Sequence, residues 1–222
     1  MFHHKNATFG IIGLGRFGTA LALKLVEAGY EVIVVDRNEN KVKAMREYTD
    51  YAYVTGELNK QTLEEIGIQN CDTVIICIGE AIDTSILVTL NVVNLGVKRV
   101  ISKAISQDQG EVLEKLGAEI VYPERDMALR LAKTLTTTSV LDYISLDNNV
   151  EISKIKVSGN LVGKTVLNSN IRQKYNLNII AIEHKGITDI EIHPEYSFNS
   201  SDVIVVIGRS DNMRRFEQSL EQ

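Results

Sequence analysis

The sequence is poor in cysteine, because Cys71 and Cys77 are the only two among its 222 residues. Two cysteines cannot build a disulfide framework, and such usage fits a reducing cytosol. Long apolar runs are missing as well: the longest uncharged apolar-rich stretch, 84–97, has 14 residues, whereas a membrane-spanning helix needs about 20. Residues 1–8 contain no apolar segment of the kind found in secretory signals. We therefore expect a cytoplasmic protein without a membrane span.

The chain also lacks an excess of positive charge. It has 24 Lys and Arg against 29 Asp and Glu, a net charge of −5, and a pI of about 5.5. No basic field is available to hold nucleic acid or an anionic membrane, so we expect no nucleic-acid partner. Hydrophobic residues make up 44% and charged residues 24%, which is the balance of a globular protein.

The first 125 residues alternate short apolar runs with helical patterns. The runs at 32–35 and 74–78 are almost wholly apolar, as expected for strands buried on both faces of a parallel sheet. This pattern predicts an α/β fold with a Rossmann-like, doubly wound parallel sheet. The predicted strands lie at 9–12, 31–36, 52–55, 73–78, 99–103 and 119–122, and the predicted helices at 17–28, 41–48, 60–66, 82–95 and 109–116.

A different pattern follows Pro123. Met127, Leu131 and Leu135 predict a helix from 126 to 135, and an extension to 143 stays open because the threonine-rich run at 136–139 forms helix poorly. Later strands are predicted at 151–157, 178–183, 187–192 and 203–207, with helices at 167–175 and 211–220. We therefore expect three parts: an α/β domain in 1–125, a crossover helix and linker in 126–144, and a small α+β module in 145–222.

A glycine motif follows the first predicted strand. Gly13-Leu-Gly-Arg-Phe-Gly18 matches G-x-G-x-x-G and opens a predicted helix, while Asp36 ends the second strand. Gly13 makes the tight turn, Gly15 lets a phosphate approach the backbone, and Gly18 packs helix on strand. Asp36 can accept hydrogen bonds from both ribose hydroxyls and would repel a 2′-phosphate. The motif predicts an adenine-nucleotide site that disfavours NADP, and a plain turn beside an acidic strand end is the simpler alternative.

No catalytic grouping accompanies this motif. The four histidines, His3, His4, His184 and His193, lie outside the α/β core. No Ser/His/Asp or Cys/His set is evident, and the two cysteines are explained as buried apolar residues. We therefore expect a binding protein and not an enzyme. An NAD-dependent oxidoreductase is the main alternative. An NAD-binding repressor would need a basic helix-turn-helix, which does not appear.

The sequence resembles a family of transport regulators. Residues 1–125 are similar to RCK (TrkA-N) domains in cytosolic subunits of bacterial Ktr and Trk potassium transporters, and the chain from about 150 onward is similar to the RCK-C (TrkA-C) module. The residues that carry the first resemblance are Phe9-Gly-Ile-Ile-Gly-Leu-Gly-Arg-Phe-Gly18, Ile78-Gly79, Lys103-Ala104, Leu116-Gly-Ala118 and Pro123-Glu-Arg-Asp-Met127.

This resemblance implies a regulatory subunit on the inner face of the cell membrane. Such subunits form homodimers that assemble into an octameric ring beneath a membrane-embedded K⁺ transporter subunit. They bind ATP and ADP, and also NAD(H), in the α/β domain. The binding residues implied here are Gly13, Gly15, Arg16, Phe17, Gly18, Asp36, Arg37, Gly79 and Lys103.

Three charged residues have roles that the sequence leaves open. Arg16 is the candidate for sensing the γ-phosphate, since a guanidinium can grip phosphate oxygens bidentately; otherwise it is a solvated arginine in a turn. By resemblance Glu124 coordinates Mg²⁺ or Ca²⁺, whereas the simpler alternative is an acidic residue favoured at a helix N-terminus. Glu57 lies in Thr55-Gly-Glu-Leu58, where many relatives carry Asp-Ala-Thr, and it is a candidate for the acidic role near adenine.

The C-terminal module resembles one that binds cyclic di-AMP at its dimer interface. Arg172 and His184 are candidates for the phosphates, although His184 can also be read as a hairpin surface residue. Which of Ile179 and Ile180 faces the ligand depends on strand register, and we expect Ile180. The full predicted set is Asn170, Ile171, Arg172, Ile180, His184, Ile192 and Pro194.

Overall fold

The computed structural model describes residues 7–137, 139–146 and 148–220. The chain divides into two compact units between Asp126 and Met127. Within the described residues, no helix combines the length and the apolar character that a bilayer span requires.

The first unit is built on a parallel sheet of six strands in the order β3-β2-β1-β4-β5-β6. Alternate residues of the central strands enter two separate cores, with Ile12, Val35 and Ile76 in one and Ile11 and Val34 in the other. The predicted doubly wound α/β fold is therefore confirmed. The elements are β1 (Thr8–Ile12), α1 (Arg16–Glu27), β2 (Glu31–Asp36), α2 (Glu39–Met45), β3 (Ala52–Val54), α3 (Lys60–Ile66), β4 (Thr73–Ile76), α4 (Ile82–Asn94), β5 (Arg99–Lys103), α5 (Gln107–Lys115) and β6 (Glu119–Val121).

Polar side chains fix where several of these helices begin. Asn38, Asn59 and Ser106 each accept a hydrogen bond from a backbone N–H in the first turn of α2, α3 and α5. These bonds satisfy donors that a helix N-terminus leaves unpaired. They explain why α2 and α5 begin two residues before the predicted positions. Gly67, with φ of 90°, ends α3.

Helix α6 (Pro123–Thr136) contains no buried residue, and its apolar stripe is exposed. The proposed extension of this helix to 143 is wrong, because Val140–Leu146 forms strand β7. Strand β7 pairs antiparallel with β8 (Val150–Lys156). The predicted linker at 126–144 therefore contains most of α6 and the first part of a strand.

The second unit carries a five-stranded antiparallel sheet in the order β10-β9-β11-β8-β7. The predicted small α+β module is confirmed. The helix predicted at 167–175 is split in two, because Asn170 adopts φ of 53°. The remaining elements of the second unit are α7 (Val166–Ser169), α8 (Ile171–Tyr175), β9 (Asn178–His184), β10 (Ile187–Asp189), β11 (Val203–Arg209) and α9 (Ser210–Leu220).

The core of this unit is closed by its last helix. Met213, Phe216 and Leu220 recur on one face of α9, and all three are buried. They pack with buried residues of the sheet such as Ile155 and Ile204. This spacing of three and four residues is the one that brings side chains onto a single helix face.

Replacing Gly18 by alanine tests the close approach of α1 to the glycine turn. A Cβ at this position would lie 2.0 Å from the carbonyl oxygen of Gly13, whereas a Cβ on Gly15 would meet nothing within 4 Å. We expect Gly18→Ala to lower the free energy of unfolding by about 1–3 kcal/mol. Gly15→Ala should change it by less than about 1 kcal/mol. Urea unfolding measures both, and equal stability of the two variants would contradict this packing role.

Candidate functional site

A cavity of about 840 Å³ lies beyond the carboxyl ends of the parallel strands. This edge is where open α/β sheets bind ligands. The structure brings together all but one of the residues predicted to bind nucleotide, the exception being Gly18. Those that line the cavity are Gly13, Gly15, Arg16, Phe17, Asp36, Arg37, Gly79 and Lys103.

The glycine turn places the start of α1 at this cavity. Gly13 adopts φ of 102°, and its N–H donates to the carbonyl of Val35 over 2.8 Å. Gly15 is exposed and has open space around the position of a Cβ. Gly18 is buried against Gly13 and Cys77, so it brings helix and strand together without lining the cavity. The unpaired N–H groups at the start of α1 can therefore meet an anion.

Asp36 is held in place by the backbone around it. One carboxylate oxygen accepts from Leu14 N over 2.6 Å, and the other accepts from Asn38 N over 2.8 Å. A carboxylate oxygen has two lone pairs, so each can accept a further hydrogen bond. The side chain is thus fixed at the end of β2 with capacity left for two hydroxyl groups.

Lys103 and Glu124 form an ion pair at the cavity wall. The Lys103 side chain is only 12% exposed, while that of Glu124 is 61% exposed. The hydrogen bond from Lys103 holds the pKa of Glu124 below its ordinary value, although burial acts in the opposite direction. Lys103 also lies over Gly79, where a Cβ would be 3.3 Å from Nζ. These contacts fix the Lys103 ammonium group inside the cavity.

Positive charge exceeds negative charge in this cavity. Its lining includes five cationic side chains, from Arg16, Arg37, Lys41, Lys103 and Arg125, and three acidic ones, from Asp36, Glu80 and Glu124. A concave surface with such an excess attracts anions even though the whole chain is acidic. Sequence reasoning did not identify Lys41 or Arg125 as part of the site.

Arg125 lines the cavity although the sequence analysis did not predict it, whereas Glu57 was a candidate and does not line it. Arg125 lines the cavity and lies over the Tyr122 ring, with 3.9 Å between the guanidinium carbon and the ring centroid. Its place in the Pro-Glu-Arg-Asp-Met motif was the signal that could have identified it. Glu57 does not line the cavity, although Thr55 and Gly56 beside it do.

The cavity lining offers little for acid–base or thiol chemistry. No histidine is among its lining residues in the described part of the chain. Burial raises the pKa of Cys77, which borders the cavity, to about 12, so this thiol stays protonated and unreactive at neutral pH. The described residues also contain no group of three or more His, Cys, Asp or Glu side chains placed to hold a metal ion.

A second cavity, of about 310 Å³, lies in the second unit. It brings together five of the residues predicted to bind cyclic di-AMP, namely Asn170, Ile171, Arg172, Ile192 and Pro194. Two predicted residues, Ile180 and His184, do not line it, and Ile179 takes the expected place of Ile180. The register explains the exchange: the pairing of β9 with β11 is irregular here and passes from Ile179 to Ala181 without Ile180, as in a β-bulge, and Ile180 is 39% exposed.

His184 belongs to a separate polar cluster around Asp202, which is fully buried. One oxygen of Asp202 is 2.6 Å from His184 Nδ1, and the other accepts from Tyr196 Oη and Asn199 N, each over 2.8 Å. Burial raises the pKa of Asp202, but these hydrogen bonds outweigh it and hold the pKa below its ordinary value. The arrangement gives His184 a structural partner, Asp202, which the sequence analysis did not anticipate.

Comparison with known proteins agrees with this geometry. Residues 9–123 match the model of the TrkA-N domain, and residues 150–221 match that of the TrkA-C domain. The chain is 36% identical over 214 residues to Ktr system potassium uptake protein A of Bacillus subtilis, covering 96% of both chains. It is 37% identical to Ktr system potassium uptake protein C of the same organism, covering 95% of this chain and 96% of that protein.

Solved structures show the same fold. The crystal structure of the GsuK RCK domain superimposes with a TM-score of 0.70 at 22% identity, and the match covers 98% of this chain and 48% of that one. The family resemblance inferred from Gly-Leu-Gly-Arg-Phe-Gly and Pro-Glu-Arg-Asp-Met is therefore confirmed along nearly the whole sequence. The chain belongs to the TrkA-N/TrkA-C (RCK) family, together with the Ktr system potassium uptake proteins.

Proposed function

We propose that this protein is a cytosolic, nucleotide-binding gating subunit of a K⁺ uptake transporter. The observation that carries the proposal is the cationic cavity at the carboxyl edge of the sheet, in a chain 36–37% identical to two Ktr system potassium uptake proteins. The protein would act on the inner face of the cell membrane through a membrane-embedded K⁺ transporter subunit. Its net charge of −5 offers no field for direct attachment to anionic lipid.

ATP and ADP are the proposed ligands of this cavity, and NAD(H) fits the same features. The ribose hydroxyls would donate to Asp36, and the phosphates would meet the start of α1. A ligand moves a gate only if it binds two states unequally. ATP and ADP differ by the γ-phosphate, so Arg16 is the proposed sensor, either of its own nucleotide or of a nucleotide on a neighbouring subunit.

A divalent cation at Glu124 would need the nucleotide to complete its ligands. Glu124 is a single carboxylate that is already paired with Lys103. One carboxylate together with phosphate oxygens is a usual set for Mg²⁺, and Ca²⁺ accepts the same donors. We therefore place Mg²⁺ or Ca²⁺ here only together with bound nucleotide, where the cation would neutralise phosphate charge.

Cyclic di-AMP is the proposed ligand of the second cavity. Arg172 offers a cation for phosphate, while Ile171, Ile179, Ile192 and Pro194 offer apolar surface for adenine. The 310 Å³ that one chain supplies is near the lower limit for a ligand pocket. Sharing the ligand between two copies of the module would supply the rest.

Helix α6 is the proposed contact in a homodimer that assembles further into an octamer. Met127, Leu131 and Leu135 follow one another at intervals of four residues and are 58%, 55% and 76% exposed. A stripe of three such apolar side chains on one helix face needs cover from another surface. A second copy of the same helix provides a matching stripe.

Non-catalytic binding is favoured over oxidoreduction by the lining of the first cavity. A dehydrogenase needs an acid–base group aimed at a substrate, whereas Lys103 is held by Glu124 and Tyr122 is covered by Arg125. If a change in nicotinamide absorbance showed that the protein oxidises or reduces a hydroxy or carbonyl compound, the NAD-dependent oxidoreductase would be favoured instead.

Two arginine variants test whether the two cavities bind different ligands. We expect Arg16→Ala to weaken ATP binding about tenfold, because one charge-assisted hydrogen bond is lost, and to leave cyclic di-AMP binding unchanged. Arg172→Ala should have the reverse effect. Calorimetric titration with ATP, ADP, NADH and cyclic di-AMP measures both, with Arg46→Ala, outside both cavities, as the charge control. Binding of NADH alone, with no discrimination by either variant, would contradict the two-site assignment.

Asp36→Asn tests the discrimination against a 2′-phosphate. The substitution keeps one acceptor for the backbone N–H groups of Leu14 and Asn38 but removes the negative charge. We expect the affinity ratio of NADPH to NADH to rise about five- to tenfold, as the loss of one exposed like-charge repulsion predicts. Asp50→Asn, an exposed substitution outside the cavity, should leave the ratio unchanged. Fluorescence titration measures it, and an unaltered ratio in the Asp36 variant would refute this role.

Leu131→Glu tests the helix contact. A charge placed in the middle of an apolar interface costs several kcal/mol, so we expect sedimentation velocity to show a smaller species than the unmodified chain. Ile190→Glu provides the control, because Ile190 is 76% exposed in the second unit and lies outside α6. Identical sedimentation of all three proteins would exclude α6 as the assembly contact.

A further inference from the structure

A buried glutamine lies beneath the β5 side of the nucleotide cavity. Gln109, in the first turn of α5, is 3% exposed. Its Oε1 accepts from the backbone N–H of Ile105 over 2.9 Å, and its Nε2 donates to Ser85 Oγ over 3.3 Å. Both ends of the amide are therefore engaged, one by the segment that joins β5 to α5 and the other by helix α4.

The polar contacts continue from Ser85 into the sheet. Thr89 Oγ1 donates to the carbonyl of Ser85 over 2.7 Å and lies 2.6 Å from Ser102 Oγ on β5. Since the single Thr89 proton goes to Ser85, the Ser102 hydroxyl donates to Thr89. Ser85, Thr89 and Ser102 are all fully buried. The chain of bonds thus ties α4, β5 and the segment after β5 to one another.

That segment forms one wall of the cavity. The wall consists of consecutive residues, Lys103, Ala104, Ile105, Ser106 and Gln107. In the strand order β3-β2-β1-β4-β5-β6, Asp36 at the end of β2 and this wall at the end of β5 lie on opposite sides of the glycine turn after β1. A nucleotide with its ribose at Asp36 and its first phosphates at α1 therefore directs its distal part toward the wall.

Helix capping alone does not explain the glutamine. Ser106 caps α5, and its Oγ accepts from Gln109 N over 3.2 Å. In a capping box the side chain three residues later returns to the N–H of the cap residue itself. Here it reaches one residue further back, to Ile105, which lines the cavity. The bond thus fixes backbone of the ligand-binding wall as well as the helix end.

We propose that Gln109 is a positioning residue that sets the preference of the cavity for the distal group of the nucleotide, an inference that rests on the proposed nucleotide binding. It does not touch the ligand. It holds the Ile105 backbone, and with it Lys103 and Ser106. The distance from this wall to the start of α1 is thereby kept at the value that a third phosphate or a nicotinamide half requires. Loss of this bond leaves the ribose and α1 contacts intact and loosens only the distal wall.

Gln109→Met tests the proposal, because it keeps the side-chain length and removes both hydrogen bonds. We expect calorimetry to show ATP and NADH affinity falling about five- to tenfold while ADP affinity stays within about twofold, the effect of one hydrogen bond. Gln109→Glu retains an acceptor for Ile105 N and should restore most of the ratio of ATP to ADP affinity. Thr89→Val is the matched control: it breaks the same buried network without touching Ile105, and should lower the melting temperature with the ratio unchanged.

Each outcome has a distinct meaning. An unmodified protein that binds no nucleotide overturns the proposed function itself. A protein that binds ATP and ADP, with the ratio unchanged in Gln109→Met or equally changed in Thr89→Val, overturns only the role of Gln109. Should Gln109→Met fail to fold, Gln109→Asn decides, because it keeps a buried amide whose side chain is one methylene too short to reach Ile105 N; a fall in the ratio of ATP to ADP affinity supports the proposal, and no fall overturns it.

Discussion

The contact between Gly18 and the carbonyl oxygen of Gly13 is the constraint on which the nucleotide cavity depends. A Cβ at Gly18 would lie 2.0 Å from that oxygen, so only glycine lets α1 approach the end of β1 this closely. This approach presents the first N–H groups of α1 to the cavity. It also brings Leu14 within reach of Asp36, whose carboxylate accepts from Leu14 N over 2.6 Å. One steric condition thus places both the helix end proposed to bind phosphate and the carboxylate proposed to bind ribose.

The charged side chains of the cavity are distributed in a way that suits the parts of a nucleotide. Asp36 stands where neutral hydroxyl groups are expected, and the cations Arg16, Lys103 and Arg125 stand where phosphates are expected. Two of these cations have fixed positions, since Lys103 is paired with Glu124 and Arg125 lies over Tyr122. Cations fixed before the ligand arrives lose less entropy on binding than mobile ones. Arg16 is exposed and free to respond to a terminal phosphate, which suits a sensor.

The sequence predicted the α/β fold, the glycine turn and Asp36 from local patterns: apolar strands, glycine spacing and an acidic strand end. The family resemblance added Arg37, Gly79 and Lys103, which also line the cavity. What the sequence missed depends on pairings between side chains and strands that a local pattern does not reveal. The sequence leaves open a helix extension to 143, whereas residues 140–146 form β7, which pairs with β8. Ile180 was chosen over Ile179 because a single strand does not show which face is covered. Gln109 lies in a Ser-x-x-Gln pattern, but its bond to Ile105 is visible only in three dimensions.

The energetic demand on such a sensor is small when many copies act on one gate. The proposed hydrogen bond from Arg16 to a γ-phosphate would supply a modest preference for one conformation, and a ligand shifts an equilibrium only by its differential affinity. In the proposed octameric ring the ratios multiply, so that a preference of about twofold at each of eight sites becomes about 250-fold for the ring. The same multiplication would apply to any residue that alters the ratio, so the proposed role of Gln109 requires only a small effect at each site. A small difference in affinity between two states is therefore sufficient, whatever the absolute affinity of the cavity for its ligand.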